Sequence, residues 1–185
     1  MQSLPAAVSV RYPQVTTRLS KDASEAQLEV LADVTNWAAA GSASGASETD
    51  SSAGSVSAES GPAKQAPAGS VSGRLLVQIP GLNISCKSKQ VTLAPGDSLQ
   101  VVITSGDCPE LLLPISDPAA VLWWPWQMGA ANQHEMTTSF QTGADTISSV
   151  SSHLVGLRDA SVSNDVNGNA VVRINGKRIL VRGGG

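Results

Sequence analysis

Apolar side chains alternate with polar ones over several short stretches of this 185-residue chain. A period of two places all the apolar side chains of an extended strand on one face. Clear examples are Arg74 to Ile79, Ser98 to Thr104 and Glu135 to Gln141. Turn-forming pairs such as Pro80-Gly81 and Pro95-Gly96 separate these stretches. Many short strands separated by such turns predict an all-β fold, an antiparallel sandwich.

Further strands are predicted along the rest of the chain. They are Ala7 to Thr16, Val91 to Leu93, Ala120 to Trp123 and Ile147 to Arg158. The two stretches that flank Pro95-Gly96 are expected to pair as a hairpin, with Leu99, Val101 and Ile103 pointing inward. Near the C-terminus, Asn175-Gly176 separates two more strands, Ala170 to Ile174 and Lys177 to Val181. Because Asn-Gly readily adopts the positive φ values of a tight turn, this pair predicts a β-hairpin.

The stretch from Ala26 to Trp37 allows two interpretations. Its Ala, Gln, Glu and Leu residues favour a helix by intrinsic propensity. Its apolar residues alternate with polar ones, however, and only Leu31 breaks the pattern, which favours a strand. On these residues alone we favour the strand, and the helix stays open.

Residues 38–72 consist almost entirely of Ala, Ser, Gly and Glu. Such a segment cannot bury enough apolar surface to offset the entropy of ordering, so we expect it to be disordered. The cost of closing a loop grows only with the logarithm of its length, so a long insertion is compatible with one sheet. We therefore interpret residues 38–72 as an expanded loop within a single domain.

Composition excludes several classes of function. The net charge is −3 and no basic cluster is present, which argues against a nucleic-acid partner. No apolar run reaches the length of a membrane span, and the N-terminus does not read as a secretion signal, so the compartment stays unknown. Cys86 and Cys108 lie too close in sequence for the sheet-bridging pair of an antibody-type domain, so we expect two free thiols.

No catalytic, metal or cofactor motif is recognisable. The chain lacks Cys-x-x-Cys, His-Glu-x-x-His, Gly-x-Ser-x-Gly and the glycine-rich nucleotide loops, so we expect no metal and no cofactor. The acidic residues Asp107, Glu110, Asp117 and Glu135 fall in turns or at strand edges, where a solvated surface charge is the ordinary interpretation. We predict that the chain carries no catalytic residue.

Three of the chain's four tryptophans, Trp123, Trp124 and Trp126, lie within four positions. Exposed indole rings stack on sugars, so the cluster is a candidate substrate-binding surface. The alternative, which we favour, is packing, with one ring in the sandwich core and one against a neighbouring domain.

Three blocks in a fixed order resemble glycoside hydrolase family 2. They are Leu-Trp-Trp-Pro-Trp-Gln-Met-Gly at 122–129, Val-Gly-Leu-Arg-Asp at 155–159 and Ile-Asn-Gly-Lys-Arg-Ile-Leu-Val-Arg-Gly-Gly at 174–184. Their form is most similar to that of exo-β-glucosaminidases and plant endo-β-mannosidases. The resemblance implies an immunoglobulin-like sandwich over residues 1–160, followed over residues 161–185 by the first hairpin and strand of a (β/α)₈ barrel.

The same resemblance implies a function for the chain. The acid/base and nucleophile of the family are glutamates on later barrel strands, so none is carried over to this chain. Arg158 and Arg182 match family arginines, and we expect them to stabilise the junction of sandwich and barrel by charge-assisted bonds. The expected partners are the missing barrel, a missing N-terminal domain and, through the parent enzyme, carbohydrate. We interpret the ending in Arg182 and three glycines as a truncation, which leaves Val172, Ile174, Ile179 and Val181 exposed.

Overall fold

The computed structural model describes residues 8–38, 69–143 and 146–180 of the chain. Twelve strands and one short α-helix, α1 (Pro118–Val121), lie within them. The strands are β1 (Val8–Leu19), β2 (Glu25–Asn36), β3 (Val71–Ile79), β4 (Ile84–Lys87), β5 (Val91–Leu93), β6 (Ser98–Ile103), β7 (Leu112–Pro114), β8 (His134–Thr142), β9 (Thr146–Val155), β10 (Ala160–Asn164), β11 (Ala170–Ile174) and β12 (Lys177–Ile179). No helix of the described ranges is long and apolar enough to cross a membrane.

The strands form three antiparallel sheets. The first sheet has the order β1-β2-β6, and β7 also pairs with β2. The second has the order β4-β3-β8-β9, and β5 also pairs with β3. The third, which we call the terminal sheet, has the order β10-β11-β12. The prediction of an all-β, antiparallel sandwich is confirmed by the first two sheets, which pack face to face on one core.

The core explains why the stretch from Ala26 to Trp37 forms a strand. In β2 the alternating residues Leu28, Val30, Ala32 and Val34 are all fully buried. They face alternating buried residues of β3, among them Val77. A helix would scatter these apolar side chains around its axis, whereas a strand places all of them in the core. The burial of one face therefore outweighs the helical propensity of the individual residues.

The predicted hairpin around Pro95-Gly96 is wrong. The turn itself forms, because the N–H of Asp97 donates to the carbonyl of Ala94 at 3.1 Å and Gly96 has a φ of 81°. The strands on either side belong to different sheets, however, since β5 pairs with β3 and β6 pairs with β2. The turn thus carries the chain from one sheet to the other. Leu99, predicted to point inward, is 44% exposed at the start of β6.

The prediction of free thiols is also wrong, because Cys86 and Cys108 form a disulfide. Cys86 lies on β4 of the second sheet, and Cys108 lies between β6 and β7 of the first. The two Cα atoms are 5.7 Å apart, although the residues are 22 positions apart in sequence. The change of sheet after β5 brings them together, so the disulfide links the two sheets despite the short spacing.

The predicted strand from Ala120 to Trp123 is a helical turn instead. Asp117 caps α1, because its side chain accepts a hydrogen bond from the N–H of Ala119 at 2.9 Å, and Pro118 occupies the first helical position. Both features favour a helix start. Trp123 makes only an isolated bridge to Ala131.

The predicted disordered insertion lies largely outside the described residues. Val71 and Ser72, its last two residues, begin β3 and pair with Leu93 and Thr92 of β5. The insertion therefore ends earlier than predicted. These residues are in a strand because β5, three residues long, offers them a partner.

The hairpin around Asn175-Gly176 is confirmed: β11 pairs with β12, and the two turn residues have φ values of 51° and 77°. The expected exposure of its apolar residues is wrong for Ile174, which is only 8% exposed. Val172 and Ile179 are half-buried, and Val181 lies outside the described residues. Ile174 is buried because the hairpin folds back against the sandwich at its turn.

Candidate functional site at the tryptophan junction

The terminal sheet meets the sandwich at a small set of side chains. We call this set the tryptophan junction; it consists of Trp123, Trp124, Arg158, Asp159 and Asn175. Trp123 and Trp124 follow α1, Arg158 and Asp159 connect β9 to β10, and Asn175 is the first turn residue between β11 and β12. The junction thus joins three segments that are distant in sequence.

Trp123 is half-buried, and Arg158 and Gly156 both lie close to its side chain. The guanidinium carbon of Arg158 is 5.0 Å from the ring centroid. Gly156 lies so close that a Cβ atom there would come within 3.0 Å of the side chain of Trp123. The N–H of Trp123 donates to the carbonyl of Leu157 at 2.8 Å. Cation–π contacts at exposed sites contribute about 0.5–1 kcal/mol, so the ring is held mainly by this close packing.

Trp124 is only 7% exposed and packs into the sandwich core. A Cβ atom on Gly129 would come within 2.8 Å of its Cγ, so only glycine fits there without displacement of the ring. The Nζ of Lys177 lies 4.7 Å from the ring centroid. Lys177 begins β12, so this contact ties the terminal sheet to a core residue of the sandwich.

Asn175 is the centre of the hydrogen-bond network at the junction. Its Nδ2 donates to the carbonyl of Trp123 at 2.9 Å, and its Oδ1 accepts from the N–H of Asp159 at 2.9 Å. Its own N–H donates to the carbonyl of Asp159 at 2.7 Å. Asp159 in turn accepts a hydrogen bond from the N–H of Leu19 on its Oδ2, at 3.0 Å. The hairpin turn is therefore fixed to the end of β1 as well as to Trp123.

Trp126 differs from its two neighbours because it is 89% exposed. It lies in a turn closed by the N–H of Met128, which donates to the carbonyl of Pro125 at 3.0 Å, and Gln127 has a φ of 69°. The turn borders an open groove of about 520 Å³. The groove is lined by Pro125, Trp126, Gln127, Met128, Arg178, Ile179 and Leu180.

The residues singled out from the sequence therefore have different surroundings. Trp123 and Trp124 have faces covered by Arg158 and Lys177, and Trp126 is open to solvent. Arg158 contacts the Trp123 ring, and Arg182 lies outside the described residues. The sequence predicted Asn175 only as a turn residue and gave no role to Asp159, because the partners of both side chains are distant along the chain.

The acidic residues considered as catalytic candidates have local partners. Asp107 makes an ion pair with Lys89 at 2.9 Å, and the hydrogen bond from Lys89 is the main cause that lowers the pKa of Asp107. Asp117 caps α1, and Glu135 accepts a hydrogen bond from Ser152 at 2.9 Å. A general acid at neutral pH needs a raised pKa instead. For Asp107, the lowered pKa is the opposite of that requirement.

Glu110 lies beside the disulfide. Its carboxylate and the two sulfur atoms come within 4.8 Å of one another, which is close enough to hold a metal ion. A metal requires free thiolates, however, and here the two sulfurs are bonded to each other. As long as the disulfide is intact, this group is not a metal site.

The fold also occurs in solved structures of glycoside hydrolases. The exo-chitosanase CsxA of Amycolatopsis orientalis matches 96% of this chain at 21% identity with a TM-score of 0.63. Its complex with PNP-β-D-glucosamine gives 22% identity, the same coverage and a TM-score of 0.62. A GH2 β-galacturonidase of Eisenbergiella tayi, bound to galacturonate, matches 93% of the chain at 16% identity with a TM-score of 0.57.

This chain spans only 16% of the exo-chitosanase and 22% of the β-galacturonidase. No family model and no curated protein matches the sequence. At these identities the likeness concerns the fold alone. The chain therefore has a GH2-like β-sandwich fold, equivalent to a small part of such an enzyme.

Proposed function

We propose that this chain is a non-catalytic module of a β-glycoside hydrolase and that the tryptophan junction supports the catalytic barrel of the same protein. The observation that carries the proposal is the Asn175 network, which fixes the terminal hairpin to Trp123 and, through Asp159, to β1. That hairpin is the segment predicted to open the barrel. A rigid joint at this point would hold the barrel in one orientation relative to the sandwich, as precise catalytic geometry requires.

The parent enzyme is proposed to hydrolyse a β-mannoside or a β-glucosaminide. The ordered sequence blocks support this substrate class, and the fold shared with an exo-chitosanase agrees with it. Within the proposal, the sandwich contributes position and stability, and the barrel contributes the two carboxylates that glycoside hydrolysis needs. The local partners of Asp107, Asp117 and Glu135 support a structural use of these acids.

The proposal is tested first by assay of the purified chain. We expect no hydrolysis of 4-nitrophenyl β-glucosaminide or β-mannoside, because the chain is proposed to lack both catalytic carboxylates. Activity that copurifies with the folded chain through successive columns would contradict the proposal. A contaminating hydrolase is distinguished because its activity would separate from the chain during size exclusion.

The coding sequence downstream of Gly185 is the second test. The proposal expects a continuing reading frame that encodes a (β/α)₈ barrel, with an Asn-Glu pair at the end of its fourth strand. Catalytic residues of such barrels lie at the carboxyl ends of the strands. A reading frame that encodes no barrel would overturn the assignment to a glycosidase.

A second candidate function is a stand-alone carbohydrate-binding sandwich that uses the tryptophan cluster. The exposure of Trp126 is the observation that favours it. The covered faces of Trp123 and Trp124 weigh against it, since Arg158 and Lys177 already occupy them. Titration with β-linked mannose or glucosamine oligosaccharides, followed by tryptophan fluorescence, tests this function. A Trp126→Ala variant that removes a sugar-dependent signal would favour it.

A further inference from the structure

A second open groove lies where the edges of the two sandwich sheets meet. We call it the rim groove; it has a volume of about 530 Å³. It is lined by Val10, Arg11, Tyr12 and Pro13 of β1 and by Ser151 and His153 of β9. Tyr12 lies seven positions along β1 from Leu19, which is roughly 23 Å in an extended strand. The rim groove is therefore separate from the tryptophan junction.

Tyr12 is held in an unfavourable backbone conformation. Its φ is 50°, at a bulge where the pairing of β1 with β2 shifts between Arg11 and Gln14. A bulky residue in this region is strained, whereas glycine adopts it freely. The side chain is nevertheless 69% exposed. Packing in the core does not explain why this strained position carries an aromatic ring.

Polar side chains also line the rim groove. The Nε2 of His153 lies 2.6 Å from the Oγ of Ser151, and this contact orients the imidazole at the groove. On the other side, Arg11 lies over the ring of Trp37 at 5.1 Å, and the Nε1 of Trp37 donates to the Oγ of Ser9 at 2.8 Å. The groove therefore combines one open aromatic face with side chains that can form hydrogen bonds on both strands.

From these contacts we propose that the rim groove binds a neutral β-linked oligosaccharide, with a pyranose ring stacked on Tyr12. The apolar C–H face of a sugar with equatorial hydroxyls fits an exposed aromatic ring, and its hydroxyls fit Ser151, His153 and Arg11. Arg11 is the one charged residue lining the groove, and its guanidinium contacts Trp37. One guanidinium stacked on an indole ring is less than the arginine clusters that anion sites use, and its N–H groups can still donate to sugar hydroxyls, so a neutral ligand is the one proposed.

The bulge argues against a peptide strand as the occupant. Addition of a strand needs a regular row of free N–H and C=O groups along the sheet edge. The bulge at Tyr12 interrupts that row on β1, and Pro13 has no N–H to offer. The proposal does not rest on the proposed function, because none of the lining residues belongs to the tryptophan junction.

The experiment uses the single tyrosine of the chain as its probe. Because Tyr12 is the only tyrosine, its ring resonances are identified without ambiguity in an aromatic NMR spectrum. Titration of the whole chain with cellohexaose should shift these resonances, with a dissociation constant on the order of 1 mM. Tyr12→Gly should weaken binding at least about tenfold, read from the His153 resonances, without a lower unfolding temperature because glycine relieves the strained φ.

Two further variants complete the test. Trp126→Ala is the matched control, because it removes a strongly exposed aromatic ring that lies outside the rim groove and should leave cellohexaose binding unchanged. His153→Ala should weaken binding severalfold without any change in the bulge. The proposal is overturned if Tyr12 does not shift at up to about 10 mM cellohexaose. It is also overturned if Tyr12→Gly still binds cellohexaose as tightly as the parent chain. Loss of binding in Trp126→Ala would overturn it too, because the sugar would then bind at the tryptophan cluster.

Discussion

The sandwich and the terminal sheet are both antiparallel β-structure, but they are stabilised in different ways. Strands β2 and β3 of the sandwich bury one complete face in a shared core. In the terminal sheet, every residue of β10 is exposed. The buried residues of this sheet are Val171, Ile174 and Asn175. The sheet is attached to the sandwich through the side chain of Asn175 and the contact of Lys177 with Trp124. Burial of whole strand faces thus holds the sandwich together, while a few buried residues and directional contacts position the terminal sheet.

The largest effect is expected from a change in the sandwich core. Phe140→Ala should destabilise the chain by about 3–5 kcal/mol, because the ring is fully buried and packs directly on Gly73. The change in the free energy of unfolding is measured by urea unfolding. The matched control, Val162→Ala on β10, should change stability by no more than about 0.5 kcal/mol, because Val162 is exposed. Equal losses in the two variants would contradict the comparison.

Removal of the disulfide should have the next largest effect. The double variant Cys86→Ser, Cys108→Ser should lose about 3 kcal/mol, because the bridge closes a loop of 22 positions and links the two sheets. The unfolding temperature with and without reductant checks this value. Reductant should lower the stability of the parent chain and leave the double variant unchanged. A parent chain insensitive to reductant would indicate that the bridge does not stabilise the sandwich.

Asn175→Ala should release the terminal sheet while the sandwich stays folded. The variant removes two side-chain hydrogen bonds and puts alanine at a positive φ, at a cost of about 2 kcal/mol. Amide hydrogen exchange should accelerate in β10–β12 and remain slow in β2 and β3. Asn175→Gly separates the two causes, since glycine accepts the φ but lacks the side chain. If exchange also accelerates in β2, the two regions are not independent.

The smallest effect on stability is expected when the pH is lowered. Hydrogen bonds from the hydroxyls of Ser20 and Ser24, and from the N–H of Ser24, lower the pKa of Asp22 from 3.8 to about 2. The β1–β2 turn should therefore keep its full stabilisation above pH 4 and lose it as the pH falls towards 2.

The turn between β10 and β11 contains a second aspartate, Asp165, whose pKa is lowered by hydrogen bonds within the turn. There the hydrogen bonds from Asn169, led by its backbone N–H, lower the pKa of Asp165. Carboxyl NMR titration of both residues compares the two turns directly. In Asp22→Asn the acid-induced change in the β1–β2 turn should disappear, while that in the β10–β11 turn should remain. An Asp22 carboxyl that titrates at its ordinary pKa would contradict the turn geometry.

Local sequence patterns predicted much of the fold. The alternation in β2 and β3 and the Asn-Gly turn before Lys177 led to the observed strands and hairpin. Two errors arose where the partner of a segment decided its structure, because the change of sheet after β5 separated a predicted hairpin and brought Cys86 to Cys108. The helical turn ahead of Trp123 was a missed local signal, since Asp117 and Pro118 favour a helix start. At the candidate site, the motif around Trp123 and Trp124 drew attention, but Asn175 and Asp159 were recognised only from their contacts.

Local patterns were enough to predict antiparallel strands with one buried face, because a period of two is a local property of an extended backbone. The sequence also contains Trp123 and Trp124 in one block with Gly129, and Gly156 in the next block, and these four residues pack together at the junction. The three-dimensional structure was needed to show which sheet each strand joins, that the two cysteines meet, and which tryptophan stays open to solvent. Those outcomes depend on residues far apart in sequence, whose contacts are settled by the packing of the whole core rather than by any local pattern.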